Sequence, residues 1–467
     1  MEAKTRNAIV HNISFALRPG PHWKLPPALE RLLTERARQS LGASWWDDPL
    51  QRERLDSAFD QLIGSEKQRQ APAYDDNLME AYTFGYLPFH FSKVAELLCN
   101  MYLAEDFPET VRILDIGCGP GTASLSAIYF FALLGNARGL FGDHRVRYRI
   151  EIVQVDKHQS ALDTAKGLVE SFMKSTDVVS FKLEQQLQLD ITPEENPGEV
   201  ALATKPFDLI FVQDFFGEQR QHSVTKRKEI MQRFMGWLKS DGALVAIEKS
   251  AGGRVQEFHQ LVAKTVETGC NLFAPCPAIF DRPQGVKCYS CTASVHRSLV
   301  RPRFLEYLCK ASSRYDYETV DRGNLWCYAI LRHKEGSAAP PLPGDKGMFT
   351  QLASLFAEGA QIPERANVLV SVASQNPSKP GVYKLCDQSC GAEYNYLHVP
   401  VGMLVSDFSG GDVLALTSVR IEKEEDQDEG TVKFHLHIDE NTNIMNLSKN
   451  RQDVSWKEAL EGAGYNA

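Results

Sequence analysis

Two periods run through the chain, and the switch between them marks its elements. Behind Pro26-Pro27, Leu29, Leu32, Leu33 and Ala37 recur at three- and four-residue spacing, which predicts an amphipathic helix with proline in its first turn. Further helices are expected over 48–63 and over 79–103, the latter running straight into the first strand. From Val111 onward, short apolar runs bounded by turn residues alternate with helix-compatible stretches. Strands are expected at 113–116, 149–155, 179–189, 207–212 and 242–247, and helices at 123–134, 160–172 and 226–238. Such alternation implies an α/β fold with a parallel sheet, helices on its faces and ligands beyond the carboxyl ends of its strands.

The first strand ends in Leu114-Asp-Ile-Gly-Cys-Gly-Pro-Gly-Thr122, with glycines at 117, 119 and 121. Glycine serves where a turn takes unusual dihedrals or a ligand lies against bare backbone. The spacing Gly-x-Gly-x-Gly differs from the Gly-x-Gly-x-x-Gly that cradles a pyrophosphate. With Asp115 in the strand end, the segment resembles motif I of the class I methyltransferases, whose ligand is S-adenosylmethionine. Carboxylates follow in order: Asp156 ends the second strand, where an acidic residue takes ribose hydroxyls. Asp190 follows the third strand and is expected to meet the adenine amino group. Gln213 and Asp214 follow the fourth strand, and Glu248 ends the fifth. The expected cofactor-binding set is Asp115, Gly117, Cys118, Gly119, Gly121, Asp156, Lys157, Asp190 and Gln213. One spacing departs from the usual pattern: Gly121 and Asp156 are further apart than the roughly 20 residues typical of such folds. The excess, 135–147 with Gly135, Gly139 and Gly142, reads as a surface loop.

Composition limits the class. The 467 residues suffice for two or three domains, and 43% hydrophobic with 24% charged residues is ordinary for a globular chain. No apolar stretch approaches a membrane span and no signal-peptide core is evident, so no membrane partner is expected. A cytoplasmic protein is expected, with the mitochondrial matrix as alternative because Lys4, Arg6 and Arg18 outnumber Glu2 at the start. Ten cysteines in such a chain point to metal or redox chemistry more than to disulfides. Cys276, Cys288 and Cys291, with Cys386 and Cys390 later, have spacings that allow an iron–sulfur centre or a zinc site, and the spacing does not choose between them. Cys99, Cys118, Cys309 and Cys327 read as small buried hydrophobes.

The order of helical N-terminus, methyltransferase core, Glu248-Lys-Ser-Ala-Gly-Gly, then Phe273-Ala-Pro-Cys-Pro277 and more cysteines resembles the methyltransferase-like assembly factors of the mitochondrial small ribosomal subunit and their bacterial relatives. That resemblance covers roughly residues 81–419. It implies a 4Fe–4S cluster on Cys276, Cys288, Cys291 and Cys386, with Cys270 and Cys390 as alternates for a ligand. It also implies the small ribosomal subunit or its RNA as partner, and a small β domain at the C-terminal end.

After the Gly/Pro-rich stretch 336–347 the pattern turns to five β-rich runs, 367–373, 381–385, 394–399, 412–420 and 431–438. Five short strands between turn residues suggest a small barrel of oligonucleotide-binding (OB-like) type. The domains expected are thus 1–104 (helical), 105–335 (Rossmann-like core, with the cysteine-rich segment 270–310) and 348–450 (barrel). Charge cuts two ways. The net value of −9 and the acidic run Glu422 to Glu429 disfavour nucleic acid, whereas Arg282 to Arg314 forms a basic stretch with Tyr289, Phe304 and Tyr307 interleaved. A peptide or small metabolite therefore remains a rival acceptor. So does a non-catalytic assembly role, with cofactor and cluster as structural elements. After the fourth strand, Gln213-Asp-Phe-Phe stands where a base-amino methyltransferase carries Asn/Asp-Pro-Pro-aromatic. Asp214 and Glu218 are the candidate catalytic or positioning groups beside the methyl.

Overall fold

The computed structural model describes residues 3–17, 22–68, 74–143, 147–174, 180–194, 196–250, 254–275, 295–296, 298–333, 346–357, 359–375, 379, 381–387, 389, 395–400, 408, 412–426 and 431–447. In chain order the elements begin with α1 (Ala3–Leu17), α2 (Pro27–Leu41), α3 (Pro49–Gln68), α4 (Asp76–Gly85), α5 (Leu87–Ala104), β1 (Thr110–Ile116) and α6 (Thr122–Leu140). They continue with β2 (Arg149–Asp156), α7 (Gln159–Met173), β3 (Ser180–Gln188), α8 (Val200–Ala203), β4 (Phe207–Gln213), α9 (Phe215–Glu218), α10 (Val224–Gly236), β5 (Leu238–Lys249) and α11 (Arg254–Val266). Then come β6 (Asn271–Ala274), β7 (Val295–His296), α12 (Arg303–Ala311), α13 (Tyr317–Gly323), β8 (Leu325–Arg332) and α14 (Leu352–Leu355). The last six strands are β9 (Arg365–Gln375), β10 (Val382–Cys386), β11 (Asn395–His398), β12 (Val413–Asp426), β13 (Thr431–His437) and β14 (Asn443–Asn446). The chain divides into two compact units: 1–254 with 296–326 and 332–334, and 255–295 with 327–331 and 335–467.

In the first unit the strands run parallel in the order β3-β2-β1-β4-β5. β1 is central and buried from Val111 to Ile116, as expected of a strand covered on both faces. Its one basic residue, Arg112, is buried because Glu184 meets its Nε at 2.8 Å and the Phe207 ring lies 4.0 Å beneath its guanidinium. The order reverses between β1 and β4. Such a switch point opens a crevice above the carboxyl ends of the strands.

Two expectations are corrected here. The helix read over 79–103 is two helices, α4 and α5, joined at Tyr86. Pro88 is the reason: it has no N–H to give and its ring clashes with the carbonyl four residues back. Gly85, at the joint, has Phe59 and Tyr315 so close that a Cβ would stand 2.7 and 2.9 Å from their rings. The excess read as a loop over 135–147 begins as helix, since α6 runs on to Leu140. Arg138 anchors the added turns, donating to Asp143 Oδ2 at 2.6 Å and to the Tyr148 hydroxyl at 2.9 Å. α1, for which no apolar spacing was read, buries Ile9, Val10, Ile13 and Leu17.

In the second unit β9–β14 form a sheet in the order β13-β11-β10-β9-β12-β14, and β12 also pairs with β13, so five strands close into a barrel. β11 and β13 are parallel, and the other pairs are antiparallel. Inward residues such as Val370, Leu385, Leu397, Leu416, Phe434 and Leu436 fill it. β12 runs longer than the expected 412–420 and reaches three neighbours because its register shifts between Leu416 and Val419, where Ser418 takes φ +57°. β14 lies beyond the five runs anticipated from sequence. No helix among the described residues is long and apolar enough to cross a membrane.

Candidate functional site

The crevice over β1, β2 and β4 is lined by Asp115, Gly117, Cys118, Gly119, Asp156, Lys157, Asp190, Gln213, Asp214 and Glu218, and encloses about 850 Å³ with its open mouth. Ten of the expected site residues thus share one cleft. Gly121 does not line it. Its φ of +80° starts α6, and a Cβ there would stand 3.1 Å from both Ala165 and Gln154, so its part is close helix–strand packing.

The turn is held by its own sequence. Gly117, Gly119 and Gly121 all have positive φ, and Cys118 N–H donates to Val155 O at 3.1 Å, tying the turn to β2. Asp156 binds the turn back: Gly119 N–H donates to its Oδ2 at 3.0 Å and His158 N–H to its Oδ1 at 2.9 Å. Burial raises the Asp156 carboxyl above its ordinary value, opposed by these two N–H groups. No atom stands within 4 Å of where a Gly119 Cβ would be, so the backbone is bare toward the cleft. Beneath it, Ser124 donates twice to Asp115 Oδ2, from N at 3.0 Å and from Oγ at 2.6 Å. Burial still pushes the Asp115 carboxyl up to about 7.

At the end of β4 the backbone turns sharply, with Asp214 in the left-handed region at φ +56°. Two buried side chains support this turn. Glu248 accepts from Phe216 N–H at 2.7 Å and Gly217 N–H at 3.1 Å, and a Cβ on Gly217 would stand 2.8 Å from its Oε2. Burial first, then Asp214, pushes the Glu248 carboxyl up to about 8. From α5, His90 Nδ1 lies 3.2 Å from Asp214 Oδ2. Burial, and then Lys93 and Lys249, hold His90 well below its usual range, so its imidazole is neutral. Glu218 lines the cleft 4.0 Å from Lys157 Nζ, its side chain partly exposed and its carboxyl raised above its ordinary value by partial burial. Both Gln213 amide atoms and His158 Nε2 are buried without a hydrogen-bond partner. Such groups cost free energy unless a ligand pairs them.

Sequence reasoning missed part of the wall. Tyr74, Met79 and Tyr82 from the helical region line the cleft, as do His158, Leu189, Ile191, Phe215 and Gln219. His158 was within reach, two residues past Asp156. Tyr74 and Tyr82 were not, because no local pattern says that a helix 40 residues upstream folds over the turn.

The cysteines expected to bind metal are placed differently. Cys276, Cys288, Cys291 and Cys390 lie outside the described residues. Cys386 is a buried thiol at the end of β10, and Cys270 is also buried. Among the described residues no group of three or more His, Cys, Asp or Glu side chains could hold a metal ion.

No family model and no curated protein matches the sequence. Solved structures similar to this chain include a class I S-adenosylmethionine-dependent methyltransferase from Listeria monocytogenes, 12% identical over 68% of this chain and 90% of that one, with a TM-score of 0.32. The magnesium protoporphyrin IX methyltransferase of Synechocystis is 10% identical over 60% of this chain and 97% of that one, with a TM-score of 0.27. NSun6 from Pyrococcus horikoshii is 14% identical over 54% and 53% of the two chains, with a TM-score of 0.28.

Proposed function

We propose that this chain is an S-adenosylmethionine-binding methyltransferase or methyltransferase-like factor. One observation carries the reading: the glycine turn 117–121 is tied to the Asp156 carboxylate at the tip of β2, in a cleft whose lining is strongly acidic. Asp115, Asp156, Asp190, Asp214 and Glu218 face it, with Lys157 as the one lysine among the described lining residues. That lining suits a nucleoside with a cationic centre and disfavours a dinucleotide pyrophosphate. The unpaired Gln213 amide and His158 Nε2 are further groups that a polar ligand would satisfy.

On this reading Asp156 accepts from the ribose hydroxyls, Asp190 meets the adenine amino group, and Gly117, Cys118, Gly119, Lys157 and Gln213 surround the rest of the cofactor. The bound cofactor supplies an activated methyl group. Asp214 and Glu218 lie on the acceptor side. Asp214, steadied by His90, positions an acceptor N–H or O–H and takes its proton. Calorimetric titration with S-adenosylmethionine tests the reading: Asp156→Ala is expected to weaken binding about tenfold or more, because hydrogen bonds to charged groups are each worth about 1.5–3 kcal/mol. Equal affinity in wild type and variant sinks it.

The finer assignment follows the family resemblance. It takes the small ribosomal subunit or its RNA as target and a 4Fe–4S cluster held by Cys276, Cys288, Cys291 and Cys386, of which Cys386 is a buried thiol beside Ala373. It takes 1–104, 105–335 and 348–450 as the three domains. The pairing order β9-β10-β11-β13-β12, returning to β9, supports an OB-type reading of the barrel. A peptide or small-metabolite acceptor is the second reading, favoured by the acidic lining and the net charge of −9. Tritiated methyl transfer into RNA, protein and small-molecule fractions separates the two. Label in none of them indicates a non-catalytic factor.

A further inference from the structure

The cleft carries a charge imbalance that the folded chain does not settle by itself. Asp115, Asp156, Asp190, Asp214 and Glu218 line it, and Lys157 and His158 are the only basic side chains among its described lining residues. Lys157 Nζ stands 4.0 Å from Glu218. Among the described residues no lysine or arginine lies within 4.0 Å of the other four carboxylates. Backbone N–H groups and one serine hydroxyl meet Asp115 and Asp156 instead. The nearby histidines add no charge at neutral pH, because burial lowers both His90, 3.2 Å from Asp214 Oδ2, and His158. Burial also raises Asp115, Asp156 and Glu218, the mark of desolvated negative charge without a full counter-charge.

We infer that this cleft selects the charged methyl donor over its own demethylated product: S-adenosylmethionine binds more tightly than S-adenosylhomocysteine, through the charges of Asp214 and Glu218. The inference rests on the reading of the cleft as an S-adenosylmethionine site. The two nucleosides share the adenine, the ribose and the amino-acid tail, so contacts to those parts cancel in the comparison. They differ by one methyl group and the positive charge on sulfur. With the ribose at Asp156 and the acceptor at Asp214, the sulfur comes to lie between the two. Asp214 and Glu218, at the two ends of the turn and short helix after β4, are then the carboxylates on its methyl side.

Two contributions separate the ligands, and their sizes tell them apart. Burying one extra methyl group is worth about fourfold in affinity. Attraction between opposite unit charges a few ångström apart, at the effective dielectric of a protein cleft, is worth well over tenfold before desolvation is counted. Desolvation takes part of this back. The cost is smaller here because folding has already removed water from the carboxylates, and a bound cation supplies the counter-charge they lack. Once the methyl group has left, the sulfur is neutral and the imbalance returns, so the product is the weaker ligand. A site of this kind is not blocked by the product it forms.

Calorimetric titration of the full-length protein at neutral pH tests this with three probes: S-adenosylmethionine, S-adenosylhomocysteine, and sinefungin, which carries an ammonium group in place of the methylsulfonium. S-adenosylmethionine and sinefungin are each expected to bind about tenfold or more tighter than S-adenosylhomocysteine. Affinities equal to within about fourfold, or a tighter product, overturn the inference and leave the cofactor reading standing. Sinefungin binding like the product, with S-adenosylmethionine alone tighter, marks an effect of the methyl group and overturns it as well. Binding of none of the three removes the cofactor reading itself, and the inference with it. Asp214→Asn and Glu218→Gln keep the size of each side chain and remove its charge. Each is expected to lose more affinity for S-adenosylmethionine than for S-adenosylhomocysteine, and equal losses for both ligands overturn the assignment to these carboxylates. Should either variant fail to fold, the three-probe comparison on wild type decides alone.

Discussion

Gly117 shows how much one position can carry. Its φ is +61°, and a Cβ there would meet Phe215 Cδ2 at 3.2 Å. Gly117→Ala therefore pays for a left-handed alanine, about 1–2 kcal/mol, and also pushes the aromatic ring that opens α9. Lower melting temperature together with about tenfold weaker S-adenosylmethionine binding is the expected result, measured by thermal denaturation and calorimetry. Unchanged values for both would mean that the turn is not strained. At this scale the sequence was most informative where geometry demands a residue type: the glycines and Asp156 are legible because few residues can take their backbone angles or accept from the N–H groups of the turn. His90 and Glu248 were harder to assign. A histidine inside an apolar helix and a glutamate ending a strand look like ordinary residues until Asp214 comes to lie against one and the α9 amides against the other.

Elements differ in how their buried titratable groups respond to pH. Asp115 is pushed up to about 7 and Glu248 to about 8, chiefly by burial. In the unfolded chain these groups ionise near their ordinary values, so between about pH 4 and about pH 8 they hold more protons in the folded first unit, whereas neutral His90 holds fewer below about pH 6.5. Their contribution to stability is greatest below that window and falls as pH rises through it, unopposed by His90 above about pH 6.5. His398 in the barrel has the opposite sign: lowered to about 4, it stays neutral while the unfolded chain takes up a proton near 6.5. The barrel thus loses stability as pH falls from about 6.5 to about 4. Scanning calorimetry without ligand should show the first unit losing stability between about pH 6.5 and about pH 8 while His398 leaves the barrel level there, and a common shift of both would contradict these assignments. The strands of the first unit were readable because apolar runs covered on both faces are nearly continuous. β14 and the far end of β12 escaped: β14 is short and polar at its edges, and β12 continues into Glu422, Lys423, Glu424 and Glu425, whose charges mask a strand.

For the whole molecule, the proposed cluster and the proposed target can be tested together. Protein purified without oxygen is expected to be brown, to contain iron and to co-sediment with small ribosomal subunits, while Cys276→Ser loses both colour and co-sedimentation. Colourless, iron-free wild-type protein would remove the cluster from the account. The order in which the chain is made matters too. Tyr315 donates its hydroxyl to the Gly85 carbonyl at 3.0 Å across 230 residues of sequence. Asp56 accepts from Ser312 and Ser313, and Phe304 packs on Trp45 and Phe84. The early helices therefore complete their packing only against residues translated much later. At about 5–20 residues per second, Gly85 waits on the order of 10–50 s for Tyr315 to be synthesised. During that interval the apolar faces of α3 and α4 stand without these partners, a nascent-chain surface on which a holding chaperone has time to act.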